Sequence, residues 1–383
     1  MRKFRSVLVP AFLLLGCTAA SDDGNAGQAD QGGAAGRPFA VEAVGSFDEP
    51  WAMTFLPGGR QALISEKRGA LKLWTVGGGA VDVAGVPAVD YGGQGGLGDV
   101  VLHPQHTQNG LVYLSFVEAG DGGRGAAVGR GRLVLSGGAP RIEGFEVIWR
   151  QVPKMSDRGH YGHRIAFSPD GRHLFISSGE RQEFNPAQDM ASNAGKVLRL
   201  NPDGTVPTDN PFASRGGVAA QIWTLGHRNP LGLAFAPDGQ LWEHEMGPQG
   251  GDELNRIERG SNYGYPIVSD GDHYDGRPIP DHSTNSQYDA PEITWTPVIS
   301  PSSMIFYSGD LFRAWRGSAL IGGLSGQALL RIVIDGNRAR IADRWDMGQR
   351  IREVEQAPDG SVYLLEDTRR GSGGRLLRLT PTP

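Results

Sequence analysis

The sequence contains a single cysteine, Cys17, among its 383 residues, so no disulfide can form within the chain. Charged residues make up only 21%, and the net charge of −5 comes without any run of lysine or arginine. Because nucleic-acid binding needs such a basic patch, we expect no nucleic-acid partner. No segment has the roughly 18 consecutive apolar residues that a transmembrane helix requires, so we expect no membrane-spanning helix.

Glycine, in contrast, is abundant, with 58 residues alongside 25 prolines. A helical bundle or coiled coil would not tolerate so much glycine, because each interior glycine destabilises a helix by about 1 kcal/mol. The glycines show no three-residue period, which excludes collagen. Hydrophobic residues, at 39%, suffice for a sizeable core. The composition therefore predicts a large, turn-rich, all-β protein.

The N-terminus has the pattern of a bacterial export signal. Three positive charges within Met1–Arg5 precede the apolar run Ser6–Gly16, and Cys17 follows directly. We predict a lipoprotein-type signal peptide over residues 1–17, with Cys17 lipidated as the new N-terminus; the alternative is an ordinary secretory signal that leaves a free thiol. Residues 18–37 are small, polar and glycine-rich, which predicts a flexible tether. We therefore expect an exported, periplasm-facing protein that contacts the membrane only through Cys17.

A proline-containing turn recurs along residues 38–383. Five copies follow an apolar run and precede a short β-rich run, which is the pattern of a β-hairpin, and their prolines are Pro57, Pro104, Pro169, Pro237 and Pro358. Where the turn reads Pro-Asp-Gly, proline fixes φ and glycine adopts positive φ. A weaker copy lies at Tyr307–Gly323. A spacing of about 60 residues fits a four-stranded blade, so we predict one six-bladed β-propeller over residues 38–383, with a two-sheet sandwich as the alternative.

Two segments carry side chains suited to acid–base chemistry or anion binding. His160 and His163 lie at positions i and i+3 just before a predicted strand, where such residues face opposite sides, so the spacing does not favour a zinc site. His160 is either a general base at the mouth of the propeller or a surface loop residue. Arg228 and Asn229 offer adjacent donors for a carboxylate or an oxyanion, although Asn-Pro is also a common turn.

Three further segments combine glycine or arginine with polar groups. The loop from Glu243 to Asn255 is rich in carboxylates and glycine, which suits Ca²⁺ but does not match EF-hand spacing. Gly93–Gly98 satisfies G-x-G-x-x-G, but its flanks are predicted strands, so a dinucleotide site is not expected. Arg350 and Arg352 share one face of a strand, where two guanidiniums repel each other unless an anion joins them or solvent surrounds them.

The order of these segments resembles the soluble, PQQ-dependent aldose sugar dehydrogenases of the glucose/sorbosone dehydrogenase family. The resemblance extends from Pro50 to Leu379. Its most specific stretches are Gly92–Gly98, His160–Arg164, Gly195–Gly204, Gly226–Phe235, Glu243–Pro266 and Arg350–Arg352. Members of this family are six-bladed propellers, which agrees with the count obtained from the repeat.

The resemblance implies a hydride-transfer mechanism. PQQ would lie flat over the central channel, and a Ca²⁺ ion held by the carbonyls of Gly247 and Pro248 would polarise its quinone. His160 would take the proton of the anomeric hydroxyl of an aldose while hydride passes to the quinone, giving a lactone. Glu180 would orient His160, and Arg228 would stabilise the negative charge that grows on the quinone oxygen. The electrons would then pass to a further acceptor, such as a quinone or a cytochrome.

The resemblance also assigns binding residues and includes three departures from the family pattern. The predicted cofactor-binding residues are Gln94, Arg228, Asn229, Arg350 and Arg352. A second Ca²⁺ would bind at Glu253 and Tyr263. Ser325 stands where relatives have a lysine that contacts PQQ, His163 where they have a small residue, and Glu180 where they have aspartate.

Two other functions are compatible with the same residues. A Ca²⁺-dependent lactonase-type hydrolase would use the metal and the carboxylates without a quinone, and a lipid-anchored propeller would bind carbohydrate without catalysis. The missing lysine at Ser325 and crowding by His163 would weaken PQQ binding or shift the substrate. An assay with PQQ, Ca²⁺ and an aldose separates the three functions.

Overall fold

A computed structural model describes residues 36–367 and 373–382 of the chain. The strands in these residues are β1 (Phe39–Phe47), β2 (Pro50–Phe55), β3 (Gln61–Glu66), β4 (Ala70–Thr75), β5 (Ala80–Asp82), β6 (Leu97–Leu102), β7 (Leu111–Gly120), β8 (Gly123–Val134), β9 (Arg141–Arg150), β10 (Gly162–Phe167), β11 (Leu174–Ser178), β12 (Lys196–Leu200), β13 (Ile222–Leu225), β14 (Pro230–Phe235), β15 (Leu241–Glu245), β16 (Gln249–Gly250), β17 (Asp252–Arg256), β18 (Gly271–Asp272), β19 (Ile293–Trp295), β20 (Pro301–Phe306), β21 (Ala319–Gly323), β22 (Ala328–Asp335), β23 (Arg338–Asp346), β24 (Arg350–Gln356), β25 (Val362–Asp367) and β26 (Gly374–Pro381).

Helices are few and short in this part of the chain. They are α1 (His106–Asn109) and the 3₁₀ helices Asn185–Ala187, Ala213–Arg215, Ala219–Gln221, His282–Thr284 and Arg313–Trp315. Among the described residues, no helix has the length and apolar character needed to cross a membrane. The signal peptide and lipid site predicted in residues 1–17 lie outside the described residues, as does nearly all of the tether predicted over 18–37.

Six antiparallel four-stranded sheets form the architecture and confirm the prediction of an all-β, six-bladed β-propeller. Blade 1 is β2-β3-β4-β5, blade 2 is β6-β7-β8-β9, blade 3 is β10-β11-β12-β13, blade 4 is β14-β15-β17-β19, blade 5 is β20-β21-β22-β23, and blade 6 is β24-β25-β26-β1. A small additional pair, β16 with β18, lies in the insertions of blade 4. The first strand of each blade contacts the first strands of both neighbouring blades, so these inner strands surround a central axis.

The core lies between neighbouring blades, where their apolar faces pack together. Leu63 and Leu71 of blade 1 belong to the same buried cluster as Leu97 and Leu114 of blade 2. Burying one such side chain completely contributes roughly 1.5–3 kcal/mol. Because every blade buries both faces in this way, its strands need continuous apolar runs, as in the fully buried Leu63 and Ile64 of β3.

The recurring proline turns join the first two strands of a blade, as the repeat predicts. Between β10 and β11, Gly171 has a φ of 69° and donates its N–H to the carbonyl of Ser168 at 2.8 Å. The Asp170 carboxylate accepts the N–H of Arg172 at 3.0 Å and closes the turn from the side chain. In blade 5 the weaker copy is a longer connection that contains the 3₁₀ helix Arg313–Trp315, and β21 follows close to the predicted position.

The first strand closes the ring by pairing with the last one. β1 runs antiparallel to β26, from Phe39 opposite Pro381 to Phe47 opposite Gly374. The buried ring of Phe39 packs edge-on against Trp345 of blade 5, with 5.3 Å between the ring centroids. The repeat did not predict this strand, because β1 precedes the first proline turn and its partner lies at the other end of the chain.

All six inner strands begin at one end of the propeller, which we call the top face. Because the first two strands of a blade are antiparallel, the second strand ends at this face and the proline turns lie at the opposite end. The inner strands begin at Pro50, Leu97, Gly162, Pro230, Pro301 and Arg350. Four segments that the sequence singled out, Gly93–Gly98, His160–Arg164, Arg228–Asn229 and Arg350–Arg352, lie at or just before these starts, so the fold gathers them at the top face.

Candidate functional site

A cavity of about 320 Å³ opens on the top face, a volume within the range of small-molecule sites. Apolar side chains of Trp51, Leu231 and Leu324 form part of its wall. The polar and charged residues of the wall are Glu49, Lys67, Gln94, His163, Asn229, Ser300, Arg350, Arg352 and Asp367. The structure therefore brings four of the five predicted cofactor-binding residues to one cavity. The fifth, Arg228, precedes Asn229 and does not itself form the wall.

One side of the cavity is cationic. Arg350 donates from Nε and Nη2 to Oδ2 of Asp367 at 3.0 Å, and Arg352 donates to the same oxygen at 3.0 Å. Asp367 at the end of β25 is thus an anion that joins the two guanidiniums. Burial opposes ionisation of Asp367, but the two arginines outweigh this effect and lower its pKa. With Lys67 also in the wall, cations outnumber carboxylates, so the cavity suits an anionic ligand.

Lys67 was not singled out by sequence reasoning, although it follows β3 at the top face. Its ammonium donates to the carbonyl of Gly93 at 2.7 Å, within the G-x-G-x-x-G segment. The hydroxyl of Ser325, where the resemblance predicts the loss of a lysine, lies 2.8 Å from the Ser300 hydroxyl, oxygen to oxygen. The ammonium group in the cavity wall is therefore supplied by blade 1.

His160 and Glu180 form a buried pair beside the cavity. Nδ1 of His160 lies 2.5 Å from Oε1 of Glu180, and Oε2 of Glu180 accepts the N–H of Phe184 at 2.8 Å. The backbone N–H of His160 donates to Oε1 of Gln94 at 2.8 Å, which ties the histidine to the cavity wall. Its φ of 45° is unusual for a residue with a side chain and fixes where the ring points. With Nδ1 held by Glu180, Nε2 is the nitrogen left for chemistry.

The surroundings of this pair favour a neutral ring. Burial lowers the pKa of His160, and Arg228 lowers it further, while the hydrogen bond to Glu180 acts in the opposite direction. Burial works to raise the pKa of Glu180, but the hydrogen bond and charge of His160, with smaller contributions from Phe184 and Arg228, lower it. At neutral pH a carboxylate therefore holds an imidazole whose Nε2 lone pair can accept a proton, which is the arrangement of a general base.

Glu245 fixes the backbone of the Arg228–Asn229 segment. Oε2 of Glu245 accepts the backbone N–H of Arg228, and it also accepts the backbone N–H of Asn229 at 3.2 Å. Oε1 of Glu245 lies 3.0 Å from Nδ1 of His227. Nε of Arg228 and Oδ1 of Asn229 are buried without a protein partner. Because buried polar atoms are normally paired, these two atoms remain available to a ligand. The sequence indicates the loop that contains Glu245 only as a calcium-binding segment, and it does not predict this support of the backbone.

His227, Glu243 and Glu245 are the described residues whose ligand atoms lie close enough, within 4.8 Å, for a shared metal ion. Most of their ligand atoms already have protein partners, although Oε1 of Glu243 is buried without one. Nε2 of His227 lies 2.8 Å from the Thr224 hydroxyl, and Glu245 holds three hydrogen-bond donors as described above. Asn255 donates to Glu243 at 3.0 Å. This cluster serves as the rigid support of the Arg228–Asn229 segment.

Asp252 shapes the glycine-rich loop that carries the predicted calcium ligands Gly247 and Pro248. Its carboxylate accepts the N–H of Gly247 at 2.9 Å and the N–H groups of Ile299 and Ser300 at 2.7 and 2.6 Å. Burial raises the pKa of Asp252 to about 6 in spite of these hydrogen bonds. The carbonyl of Gly247 accepts Nη1 of Arg228 at 2.5 Å. A carbonyl oxygen has a second lone pair, so this contact leaves Gly247 able to bind a cation as well.

Glu253 and Tyr263, predicted as ligands of a second ion, also come together in blade 4. The Tyr263 hydroxyl donates to the carbonyl of Arg256 at 2.5 Å, and the Tyr263 carbonyl lies 3.0 Å from Nε2 of His282. Burial and the neighbouring Glu245 raise the pKa of Glu253 to about 8. The ligand roles of Gly247, Pro248, Glu253 and Tyr263 stay predictions. His282, which the sequence did not single out, lies between Tyr263 and the acidic side chains.

His163 is part of the cavity wall and packs away from the His160 pair. Its ring stacks on Trp51 with 4.9 Å between centroids, and Nδ1 lies 2.8 Å from the Ser115 hydroxyl. A Cβ atom at Gly98 would lie 2.0 Å from this ring, so the last glycine of the G-x-G-x-x-G segment makes room for it. Burial, together with the charge of Arg164, lowers the pKa of His163 to about 3.

Comparisons with known proteins identify relatives over most of the chain. The family model described as glucose / sorbosone dehydrogenase matches residues 47–378. The aldose sugar dehydrogenase YliI of Escherichia coli K12 is 40% identical over 341 residues, which cover 87% of this chain and 90% of the relative. The fold is similar to that of the soluble aldose sugar dehydrogenase of Escherichia coli in its apo-form, with a TM-score of 0.85, 39% identity and coverage of 90% and 100% of the two chains. It is also similar to the PQQ-bound aldose sugar dehydrogenase of Streptomyces coelicolor, with a TM-score of 0.73, 28% identity and coverage of 89% and 98%.

The buried His163 should make the folded state sensitive to acid. The folded protein holds the pKa of His163 at about 3, whereas the ordinary value is 6.5, so the unfolded chain takes up the proton first as the pH falls. The stabilisation that comes from keeping His163 neutral is therefore intact above pH 6.5 and is lost progressively as the pH falls from 6.5 towards 3. Between pH 7 and pH 5 this loss is about 2 kcal/mol.

The variant His163→Gln cannot take up this proton. From pH 7 to pH 5, the free energy of unfolding of the wild type, measured by urea denaturation, should therefore fall by about 2 kcal/mol more than that of the variant. His106→Gln, in α1 at the opposite end of the propeller, should follow the wild type. Equal falls for the wild type and His163→Gln would show that the His163 ring is not held neutral.

Proposed function

The chain belongs to the glucose/sorbosone dehydrogenase family, and on this premise we propose that it is a PQQ- and Ca²⁺-dependent enzyme that oxidises the anomeric hydroxyl of aldoses to lactones. The observation that carries the proposal is the His160–Glu180 pair beside a cavity with a cationic wall. Two relatives, an aldose sugar dehydrogenase and a PQQ-bound aldose sugar dehydrogenase, support the same chemistry. The substrate class is therefore an aldose.

The cavity residues fit PQQ, a flat quinone with three carboxylates. Lys67, Arg350 and Arg352 offer cationic donors for carboxylates, and the planar guanidiniums of the two arginines match carboxylate geometry. Gln94 and Asn229 would bind the cofactor's remaining polar atoms, and Oδ1 of Asn229 is a buried atom without a protein partner. The carbonyls of Gly247 and Pro248 would hold one Ca²⁺ ion, because backbone carbonyls are oxygen ligands that this ion prefers. When bound, PQQ supplies a hydride acceptor that the ion polarises.

The protein's own residues then act on the sugar. Nε2 of His160 would accept the proton of the anomeric hydroxyl, and bound PQQ would supply the acceptor for the hydride of the anomeric carbon, so both hydrogens are accounted for and the product is a lactone. Glu180 keeps the proton of Nδ1 in place and stabilises the charged ring that results. Arg228, with Nε unpartnered, offers a donor to the negative charge that develops on the acceptor. An external acceptor, such as a quinone or cytochrome, must then remove the electrons.

Reconstitution tests this function directly. The purified chain is mixed with PQQ and Ca²⁺, and aldose-dependent bleaching of a redox dye is followed. We expect bleaching only when PQQ and Ca²⁺ are both present. Unaltered PQQ absorbance and no bleaching with any common aldose would overturn the proposal, and lactone hydrolysis without PQQ would favour a hydrolase.

Replacing the proposed base separates chemistry from binding. His160→Ala should lower turnover by about 10²-fold or more, because general-base catalysis contributes about that factor. PQQ affinity should hardly change, since the backbone N–H of residue 160 still reaches Gln94. The matched control is His106→Ala, at the opposite end of the propeller, with wild-type turnover expected. Wild-type turnover in His160→Ala would exclude His160 as the base.

We further propose that the enzyme is exported, faces the periplasm and is anchored by lipid on Cys17. The support is the charged, apolar and cysteine pattern of residues 1–17. In a bacterial host the full chain should sediment with membranes and be released by detergent, whereas Cys17→Ser should appear in the soluble fraction. Equal fractionation of both proteins would contradict the lipid anchor.

A further inference from the structure

One corner of blade 4 holds a histidine ring among oxygen atoms. Nε2 of His282 lies 3.0 Å from the carbonyl oxygen of Tyr263, while Nδ1 lies 3.4 Å from Oδ1 of Asp270 and 4.0 Å from Oε1 of Glu253. The His282 side chain is only 2% exposed. The two groups predicted to bind a second calcium ion therefore face an imidazole ring.

The oxygen atoms of this corner are already engaged by the protein. Oδ2 of Asp270 accepts the Thr294 hydroxyl at 3.0 Å, and Oε2 of Glu253 accepts Nδ2 of Asn255 at 3.3 Å. Calcium needs six to eight oxygen ligands at about 2.3–2.6 Å, so an ion must sit between its ligands. The ring occupies that position between Tyr263 and the carboxylates. The residues present do not fit a second ion while His282 stays in place.

The backbone holds the ring there. His282 begins the 3₁₀ helix His282–Thr284, and its own N–H donates to Oδ1 of Asp270 at 3.1 Å, the same oxygen that faces its side chain. The chain is fastened just before this point, where Ser269 donates its N–H to the carbonyl of Pro280 at 3.0 Å. These contacts fix the backbone position of His282, so the ring could leave only by a rotation of its side chain that breaks the contacts of both ring nitrogens.

We propose that the His282 side chain replaces a calcium ion at this corner, with Nε2 bonded to the Tyr263 carbonyl, Nδ1 bonded to the Asp270 carboxylate, and the Glu253 carboxylate facing the ring. The loop after β17 is then held to blade 4 without a metal. The chain binds no Ca²⁺ between Glu253 and Tyr263, in contrast to the expectation from its family. This inference concerns a site apart from the cavity and does not depend on the proposed function.

The test counts calcium ions without PQQ or sugar. Chelator-treated wild type and His282→Ala, each as the full chain, are dialysed against Ca²⁺, and bound calcium is measured by mass spectrometry. Removing the ring frees one carbonyl and two carboxylates, so His282→Ala should bind one more ion per chain than wild type. His106→Ala should bind the same number as wild type. Added Ca²⁺ should also raise the Tm of His282→Ala more than that of wild type.

Each result decides for or against the replacement. Equal calcium counts in the wild type and His282→Ala, or a lower count in the variant, would overturn the proposal. If His282→Ala does not fold without calcium, recovery of folding on adding Ca²⁺ would support the proposal. If folding does not recover, bound calcium is counted in the same way for His282→Asn. A gain of one ion in His282→Asn would support the proposal and no gain would overturn it. An inactive enzyme in the PQQ assay would leave these counts unaffected.

Discussion

The pairing of β1 with β26 is the constraint on which the top-face site depends. This pairing completes blade 6, whose inner strands carry Arg350, Arg352 and Asp367. Closure also sets β24 of blade 6 against β2 of blade 1, so that Lys67 from near the start of the propeller shares a cavity wall with arginines from near its end. An open array of blades would separate Lys67 from the two arginines of blade 6.

Buried carboxylates then fix the groups that the closed ring brings together. Glu180 holds His160, Glu245 holds the backbone of Arg228 and Asn229, and Asp252 holds the glycine-rich loop. A buried charge is tolerated only where donors surround it, and removing one partner costs about 3–5 kcal/mol. The same donors that keep these carboxylates ionised or hydrogen-bonded therefore keep the site rigid before a ligand arrives. Such preorganisation favours charge development in the reaction, because little needs to reorient.

The sequence predicts the parts of this design that are local. A Pro-Asp-Gly turn such as that at Gly171 specifies its own hairpin, so the blades could be counted, and the motifs led to Gln94, Asn229, Arg350 and Arg352. Long-range partners carry no such signal. The strand β1 pairs with the opposite end of the chain, and Asp367 meets two arginines only through strand register. Lys67 and His282 look like ordinary polar residues until the fold places oxygen atoms around them.

Arg228 and His282 each donate to a backbone carbonyl of a residue predicted as a calcium ligand, Gly247 and Tyr263 respectively. The shapes of the two side chains decide whether the carbonyl oxygen stays accessible to an ion. Arg228 reaches Gly247 with the tip of a long side chain, so the carbonyl keeps a lone pair for an ion beside the cavity. The ring of His282 is short and flat, and it lies between the Tyr263 carbonyl and Asp270, which also accepts the backbone N–H of His282. A site that binds a ligand needs oxygen atoms that remain accessible. A site that only holds a loop in place needs oxygen atoms that have hydrogen-bond donors. The carbonyl of Gly247, proposed as a calcium ligand, thus keeps an accessible lone pair, whereas the oxygens around His282 are already satisfied by protein groups.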